Sequence, residues 1–264
     1  MAADDPLTTE RLAQALGPDP SFGAPHQVYP VAVSVDAIAL GWLRQEGAPE
    51  GAVVVAESEL SARGRRGIPW VSVAGGSLAF SVVLRPELPP EAEGLLWPLA
   101  SLAAAEGVEE ATGLRPTLKW PNDVLLAGRR LGLVDVEAQL GPGRLESAVM
   151  TVRLNATLEA DEIPPNLRDE ATSLTVEGSA ASREHVLARI VERLEARYTG
   201  GVSELVSAYQ QRCQTLGRAV RAELQPAGEV AGTATSVDGG GRLVLDDDES
   251  AALTVDLLTR LVEV

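Results

Sequence analysis

The chain has 264 residues, 45% of them hydrophobic but only 3% aromatic, so it buries one substantial core built on Val, Leu and Ala. Its 38 acids against 22 bases (formal net charge -16) argue against nucleic acid as a partner, because phosphate binding needs a positive face. A single cysteine, Cys213, excludes an internal disulfide, and the remote His26 and His185 lack metal-ligand spacing. With no signal-peptide pattern and no apolar run of bilayer length, a cytoplasmic protein with no membrane partner is expected.

Residues 1–27 form an arm, with a helical pattern at 7–16 and a Gly/Pro-rich link at 17–25, too short for a DNA-binding domain with its own core. Residues 28–33 read as a strand. Ser34 caps a helix over 35–45 that Gly47 ends. An apolar β-rich run, 52–57, leads into an arginine-rich loop, and 77–84 is a buried strand stopped by Pro86, Pro89 and Pro90. The Ala/Leu-rich pattern at 91–112 is apolar on both sides and predicts a central helix against a sheet. A short strand, 117–120, ends in Pro121-Asn122-Asp123. Residues 124–126 and 130–137 predict a hairpin turned at Ala127-Gly128, and 146–154 another strand after Gly141-Pro142-Gly143.

Residues 155–181 read as loop. Ser182 opens a periodic helix, 183–198, and Gly200-Gly201 separates it from a helix over 202–213 in which Cys213 reads as a packed thiol. The remaining residues alternate and turn at Asp238-Gly239-Gly240-Gly241, the pattern of a small β-barrel, with the acid run at 246–249 a solvated turn. Three segments are therefore expected: an arm (1–27), a main domain (28–214) and a barrel (215–264).

Two constellations carry chemistry. Residues 62–70, Ala-Arg-Gly-Arg-Arg-Gly-Ile-Pro-Trp, concentrate Arg63, Arg65 and Arg66 among glycines in an otherwise acidic protein. Guanidinium groups match phosphate and carboxylate oxygens, and glycines let backbone amides approach a ligand, so the loop reads as an anion clamp. A solvated basic turn is the bland alternative. Residues 119–123, Lys-Trp-Pro-Asn-Asp, present Lys119 and Asp123 from a strand end stiffened by Pro121. Together, the loop and this cation predict a site that joins two anions by cancelling their charge.

With both motifs in hand, the chain resembles the biotin–protein ligases. Their Gly-Arg-Gly-Arg-x-Gly-x-x-Trp loop is matched by Ala62 to Trp70, and their Lys-Trp-Pro-Asn-Asp by 119–123. Ser34-Val35-Asp36 stands at their Ser-Thr-Asn, and Gly76-Ser77-Leu78 at their Gly-x-Leu. Arg130-Leu131-Gly132 with Glu137 stands at their Lys-x-x-Gly-Ile-Leu-x-Glu, Asn155 at the Asn of Gly-x-Gly-x-Asn, and Ala171-Thr172-Ser173-Leu174 at their Ala-Thr-Ser-Leu. The match runs from about residue 28 to the end and resembles the branch without a DNA-binding domain.

The resemblance implies an α+β fold, a mixed sheet flanked by helices of the class II aminoacyl-tRNA synthetase-like, biotin ligase type, with an SH3-like C-terminal barrel. It also implies a two-step reaction. Biotin and ATP with Mg2+ give biotinyl-adenylate, and a lysine on the biotin carboxyl carrier domain of an acyl-CoA carboxylase then takes the biotinyl group. Arg63, Lys119, Asp123 and Arg130 would be catalytic, with Asp123 orienting or deprotonating the incoming lysine. Ser34, Asp36, Glu59, Ala62, Arg65, Arg66, Trp70, Asn122, Gly132 and Asn155 would bind biotin or nucleotide, Trp70 near adenine and Asn155 near the ribose or adenylate.

The departures from the pattern cluster in the biotin pocket. The family's Thr is Val35, its Asn is Asp36 and its ureido-binding Gln is Glu59. Its first loop glycine is Ala62, its lysine after the turn is Arg130, and three glycines are Leu133, Thr151 and Arg153. Each lost buried hydrogen bond costs about 1–3 kcal/mol, so several together predict biotin binding weakened roughly a thousandfold. Two function classes stay open: a ligase with a divergent pocket, or a repurposed paralogue that binds nucleotide or carrier without biotin transfer. Octanoyl or lipoyl transfer lacks its Gly-rich, His-Asp motif here.

Overall fold

The structure is a computed structural model that describes residues 6–64, 67–223, 228–246, 253–255 and 260–263. Helix α1 (Thr9–Leu16) precedes strand β1 (His26–Tyr29), helix α2 (Val35–Glu46) and strands β2 (Val53–Ala56) and β3 (Ser77–Leu84). Helix α3 (Leu96–Thr112) leads to β4 (Thr117–Lys119), β5 (Asp123–Leu126), β6 (Arg129–Gly141) and β7 (Arg144–Asn155). Helices α4 (Arg183–Tyr198) and α5 (Val202–Arg212) are followed by β8 (Ala219–Glu223), β9 (Glu229–Val237), β10 (Leu243–Asp246), β11 (Leu253–Val255) and β12 (Arg260–Glu263).

The first seven strands form one mixed sheet in the order β1-β2-β3-β7-β6-β5-β4, parallel only between β1 and β2. The last five form an antiparallel sheet in the order β11-β10-β9-β8-β12. The expected α+β architecture, with a small C-terminal β module, is therefore what the chain adopts.

Local chemistry accounts for the elements. Ser34 accepts the Ala37 amide at the start of α2, and Gly47 closes that helix at φ 68, where a side chain would be strained. The Ala127-Gly128 turn between β5 and β6 has positive φ at both residues (49 and 77), the two-residue hairpin geometry. The helix expected over 91–112 divides into a 3-10 segment, Pro90–Leu95, and α3. Pro98 lacks an amide hydrogen and its ring crowds the carbonyl four residues back, so a continuous helix restarts at Leu96 and keeps Pro98 in its first turn. The strand expected over 28–33 is displaced to His26–Tyr29, because Pro30 has no ladder donor. Of the expected acidic turn at 246–249, residues 247–249 lie outside the described residues.

Alternation divides the main sheet into two faces. Val53, Val55, Leu78, Phe80, Val82, Met150, Val152 and Leu154 pack with α3 and α4 in the larger core. Val54, Ala56, Ala79, Val83 and Val149 face α2 in a smaller one. The buried side of the small sheet (Val220, Ala222, Ala234, Leu243, Leu245) is continuous with the larger core. Trp120 fastens the two sheets at the Lys119–Asp123 turn: its amide donates to Thr215 Oγ1 at 3.0 Å and its Nε1 to the Gly241 carbonyl at 3.2 Å. Cys213 is buried, and burial pushes its thiol above the usual range, in keeping with a packed thiol. Among the described residues, no helix is long and apolar enough to cross a membrane.

One carboxylate just after β2 ties the start of the arm to α4. Glu57 accepts the Leu7 amide at 2.9 Å, the Gly75 amide at 2.6 Å and both ends of the Arg183 guanidinium at 2.8 and 3.0 Å. Burial opposes its ionisation, but Arg183 and the two amides outweigh burial and hold its pKa below the ordinary 4.5. A depressed folded pKa means the stabilisation is fully present above the unfolded value and is lost as pH falls through the folded one. Glu57→Gln is therefore expected to lower stability by about 2–3 kcal/mol at pH 7. In paired urea titrations that gap should shrink as pH drops below the ordinary glutamate value. A gap independent of pH would remove the ionic argument.

Candidate active site

On the α2 face, strand register lines up one continuous row. Lys119 stands opposite Asp123, Asp123 opposite Leu133, and Leu133 opposite Arg153. The row continues through Ala79 and Ala56 to Tyr29. Cross-strand partners share a face, so the two sequence motifs are joined through β6 and β7 rather than through a loop.

The segment after β2 meets this row at Glu59 and Gly64. Residues 58–61 run beside 30–33, with Ala32 donating to the Ser58 carbonyl and Leu60 to that of Ala32. The loop then doubles back: Gly64 donates to Ile68, Trp70 donates to Ala62, and Arg63 pairs with Pro69. Arg63 is exposed, and its Nη1 donates to the Gly67 carbonyl at 3.2 Å. Ala62 is buried at the base of this small hairpin. A Cβ on Gly64 would stand 2.7 Å from Leu133 Cδ2, so the loop rests directly on the row. Arg65 and Arg66 lie outside the described residues.

At one end of the row, Arg130 Nη2 donates to Asp123 Oδ2 at 2.8 Å, with the Asp123 side chain largely buried and the Arg130 side chain half-exposed. Arg130 is held through its backbone, which exchanges hydrogen bonds with Glu170 and Thr172 and sets Ala171–Leu174 alongside the start of β6. Asn155 Nδ2 donates to the Thr172 carbonyl at 2.9 Å, tying the same segment to the end of β7. Between these elements lies a cavity of about 210 Å³, lined by Trp70, Arg130, Asn155, Leu158, Ile163 and Ala171 among others. The Trp70 Nε1 is buried there without a hydrogen-bond partner. The apolar share of this wall comes from Ile68–Val73 and from Leu158, Ile163, Pro164 and Leu167, the latter in a segment whose sequence reads as loop.

Toward the middle of the row sits a charged cluster. The Arg153 guanidinium donates through Nε and Nη2 to the two oxygens of Glu59, both at 2.8 Å, and through Nη2 to Asp36 Oδ1. Glu59 also accepts the Val35 amide at the start of α2, at 2.9 Å. The Arg153 side chain is 1% exposed and that of Glu59 is 0%, while Asp36 is 36% exposed. Burial alone would lower the Arg153 pKa, but the two carboxylates outweigh it and raise it, so the guanidinium stays charged. Its Nη1 is buried with no partner. Beneath it, Thr151 and Ser81 share a buried hydrogen bond at 2.7 Å.

The structure thus brings together Lys119, Asp123, Arg130, Asp36, Glu59 and the hairpin containing Ala62, with Trp70 and Asn155 in the adjoining cavity. Three expected ligand residues also have roles within the protein. Ser34 caps α2. Asn122 Nδ2 donates to the Val134 carbonyl at 2.9 Å, bracing the turn. Gly132 lies opposite Leu154 on the far face from Leu133, and a Cβ there would meet the Arg153 carbonyl at 2.2 Å. The lack of a Cβ at Gly132 permits strand packing on that face, as strand alternation sets it. Arg153 was not among the expected site residues. An arginine at an inward position of the apolar strand Val149–Leu154 was the signal available.

A mixed sheet with a small β module, an arginine hairpin on one face and a Lys/Asp/Arg group beside a cavity defines the class of ATP-dependent ligases built on this fold. Residues 32–155 match the biotin/lipoate A/B protein ligase family. The chain is 35% identical over 206 residues to the biotin–[acetyl-CoA-carboxylase] ligase of Mycobacterium tuberculosis, covering 75% of this chain and 74% of that one. It is 31% identical over 229 residues to the bifunctional ligase/repressor BirA of Bacillus spizizenii, covering 85% of this chain and 70% of the relative. Among solved structures, biotin protein ligase from Aquifex aeolicus, in complex with biotin and ATP, superimposes with TM-score 0.74 at 22% identity, over 91% of this chain and 100% of that one. The chain belongs to the biotin–protein ligase family.

Proposed function

We propose that this chain forms an acyl-adenylate from biotin and ATP and passes the acyl group to a lysine of a carrier protein, the biotin carboxyl carrier domain of an acyl-CoA carboxylase. The observation that carries the reading is the Lys119–Asp123–Arg130 group at the end of the row, of which Arg130 pairs with Asp123 and lines the Trp70–Asn155 cavity. In the first step, a carboxylate oxygen of the acid attacks the α-phosphorus of ATP and the bond to the bridging oxygen breaks, releasing pyrophosphate. Both reactants are anions. Lys119, Arg63 and Arg130 lower their repulsion, and the effect is large because the cations are placed before the charge develops. In the second step, a neutral lysine amine attacks the acyl carbon, AMP leaves, and Asp123 accepts the amine proton or orients the amine. Trp70 packs on the adenine, and Asn155, which lines the same cavity, holds the ribose side of the adenylate.

Mg2+ supplies charge neutralisation when bound. Among the described residues there is no group of three or more His, Cys, Asp or Glu side chains to hold it, and Asp123 is engaged by Arg130. The described side chains therefore offer no cluster of three such ligands. The ion fits as a partner of the triphosphate, the usual habit of Mg2+ in nucleotide sites.

A second reading, nucleotide or carrier binding without biotin transfer, is favoured by one observation: the buried Arg153–Glu59–Asp36 cluster on the floor of the site. Pyrophosphate release with MgATP, with and without biotin, combined with calorimetry of each ligand, decides between them. Acid-dependent release, with biotin binding tightened by ATP, is expected for the ligase. ATP binding with no acid-dependent release would leave the second reading.

A further inference from the structure

A further cavity, of about 360 Å³, lies at the opposite end of the main sheet from the Trp70–Asn155 cavity. Strand β3 runs between them: Ser77 pairs with Asn155 and Leu84 with Ala148, roughly 23 Å apart along the strand. Its bed is apolar, made by the buried Leu95, Leu96, Leu99 and Leu205, with the 41% exposed Val202 beside them. The volume suits a small molecule, and an apolar bed with a few polar groups at its edge is the usual make-up of such a site.

Four charged side chains line the cavity, and two of them are already engaged. Arg197 gives Nε and Nη2 to the two oxygens of Glu106, at 2.9 and 2.6 Å. Glu50 accepts the Tyr198 hydroxyl at 2.6 Å and the Arg85 amide at 2.9 Å. The other two are exposed and keep capacity for a ligand. The Arg85 guanidinium donates through Nη2 to the Ala48 carbonyl at 2.8 Å, and no carboxylate pairs with it among the described residues. Glu87, two residues on, makes no hydrogen bond or ion pair among the described residues. The segment that carries them is fixed at both ends, by the Arg85 amide on Glu50 and by the Leu145 amide on the Leu88 carbonyl at 2.9 Å. Helix α4 also ends here, at Tyr198–Gly200, where its last carbonyls add negative partial charge. A simple anion leaves Glu87 facing it, and a simple amine leaves Arg85 facing it. A molecule that carries both charges beside an apolar side chain uses all three features.

We infer that this cavity binds a free α-amino acid with an aliphatic side chain. Its carboxylate lies against Arg85, its ammonium group against Glu87 and the end of α4, and its side chain on the leucine bed. The site is separate from the adenylate-forming reading and needs neither ATP nor biotin.

The probe is L-leucine, titrated into the full chain by calorimetry. Saturable binding at about millimolar affinity or tighter is expected. Isocaproate, which lacks the ammonium group, and isoamylamine, which lacks the carboxylate, should each bind about tenfold more weakly or worse. Glu87→Gln and Arg85→Gln should weaken leucine by a similar factor. Val202→Trp, which fills the cavity from an exposed position, should abolish binding. Absence of saturable leucine binding would overturn the inference. So would leucine binding that survives both Val202→Trp and Glu87→Gln, or isocaproate or isoamylamine binding as tightly as leucine. Pyrophosphate release tests the ligase reading without leucine, so the two ideas fail separately.

Discussion

Arg153→Ala alone is expected to destabilise the fold by about 3–5 kcal/mol, the usual consequence of removing one partner from a buried ion pair. The size follows from Glu59, whose side chain has no solvent exposure and receives three hydrogen bonds, two of them from Arg153. Without the guanidinium, a buried carboxylate keeps one backbone amide at the start of α2 as its partner. It must then protonate or pull water into the α2 face. Pairing the change with Glu59→Gln should recover most of the loss, since a neutral amide is far less costly to bury than an unpaired charge. Urea denaturation of the wild type, the single variant and the pair reads this directly. The exposed Arg44–Glu137 pair, 54% exposed on both sides, serves as the reference and should change stability by roughly 0–1 kcal/mol when broken. A loss for Arg153→Ala as small as the reference would mean that the cluster is solvated in solution.

The long regular elements were legible because their signals are local. Ser34 and Gly47 bound α2 within one residue of the expected range, β3 falls on the expected residues, and α4 follows its periodicity from Ser182 onward. The site was legible at its two motifs because lysine, arginine and aspartate have few reasons to cluster in such positions. What sequence could not show was how the pieces meet. Arg153 is thirty-four residues from Lys119, and only the β4-β5-β6-β7 register puts both in one row. The resemblance marks residue 153 as a lost glycine, which hides the fact that the incoming arginine recruits two further altered positions, Asp36 and Glu59. Three departures that read separately as losses are one ion cluster. Gly132 shows a simpler limit of sequence: a strand sends neighbouring residues to opposite faces, and only the register tells which face a glycine serves.

The cluster also bears on which half of the chemistry has been altered. It lies toward the middle of the row, where Arg153 pairs with Glu59 and Asp36, whereas Arg130 pairs with Asp123 at the end of the row. Changes at one group should therefore leave the other measurable.

Lys119→Ala is expected to lower acid-dependent pyrophosphate release by roughly a hundred- to a thousandfold, the range for removing a preorganised electrostatic contact to a developing negative charge. Asp123→Asn should act on the other step. In single-turnover experiments with preformed adenylate, transfer to a carrier lysine should fall about a hundredfold or more, the scale of a lost general base. Adenylate formation should change far less, because Asp123 carries the wrong charge to help two anions meet. Asp123 also holds Arg130, through a 2.8 Å contact from the half-exposed guanidinium. To separate those roles, Arg130→Lys keeps the cation but loses the planar fork, and should raise the acid's KM more than it lowers transfer. If Asp123→Asn instead depressed both steps equally while Arg130→Lys did the same, Asp123 would be acting through the position of Arg130, and the proton acceptor would have to be sought elsewhere in the cavity.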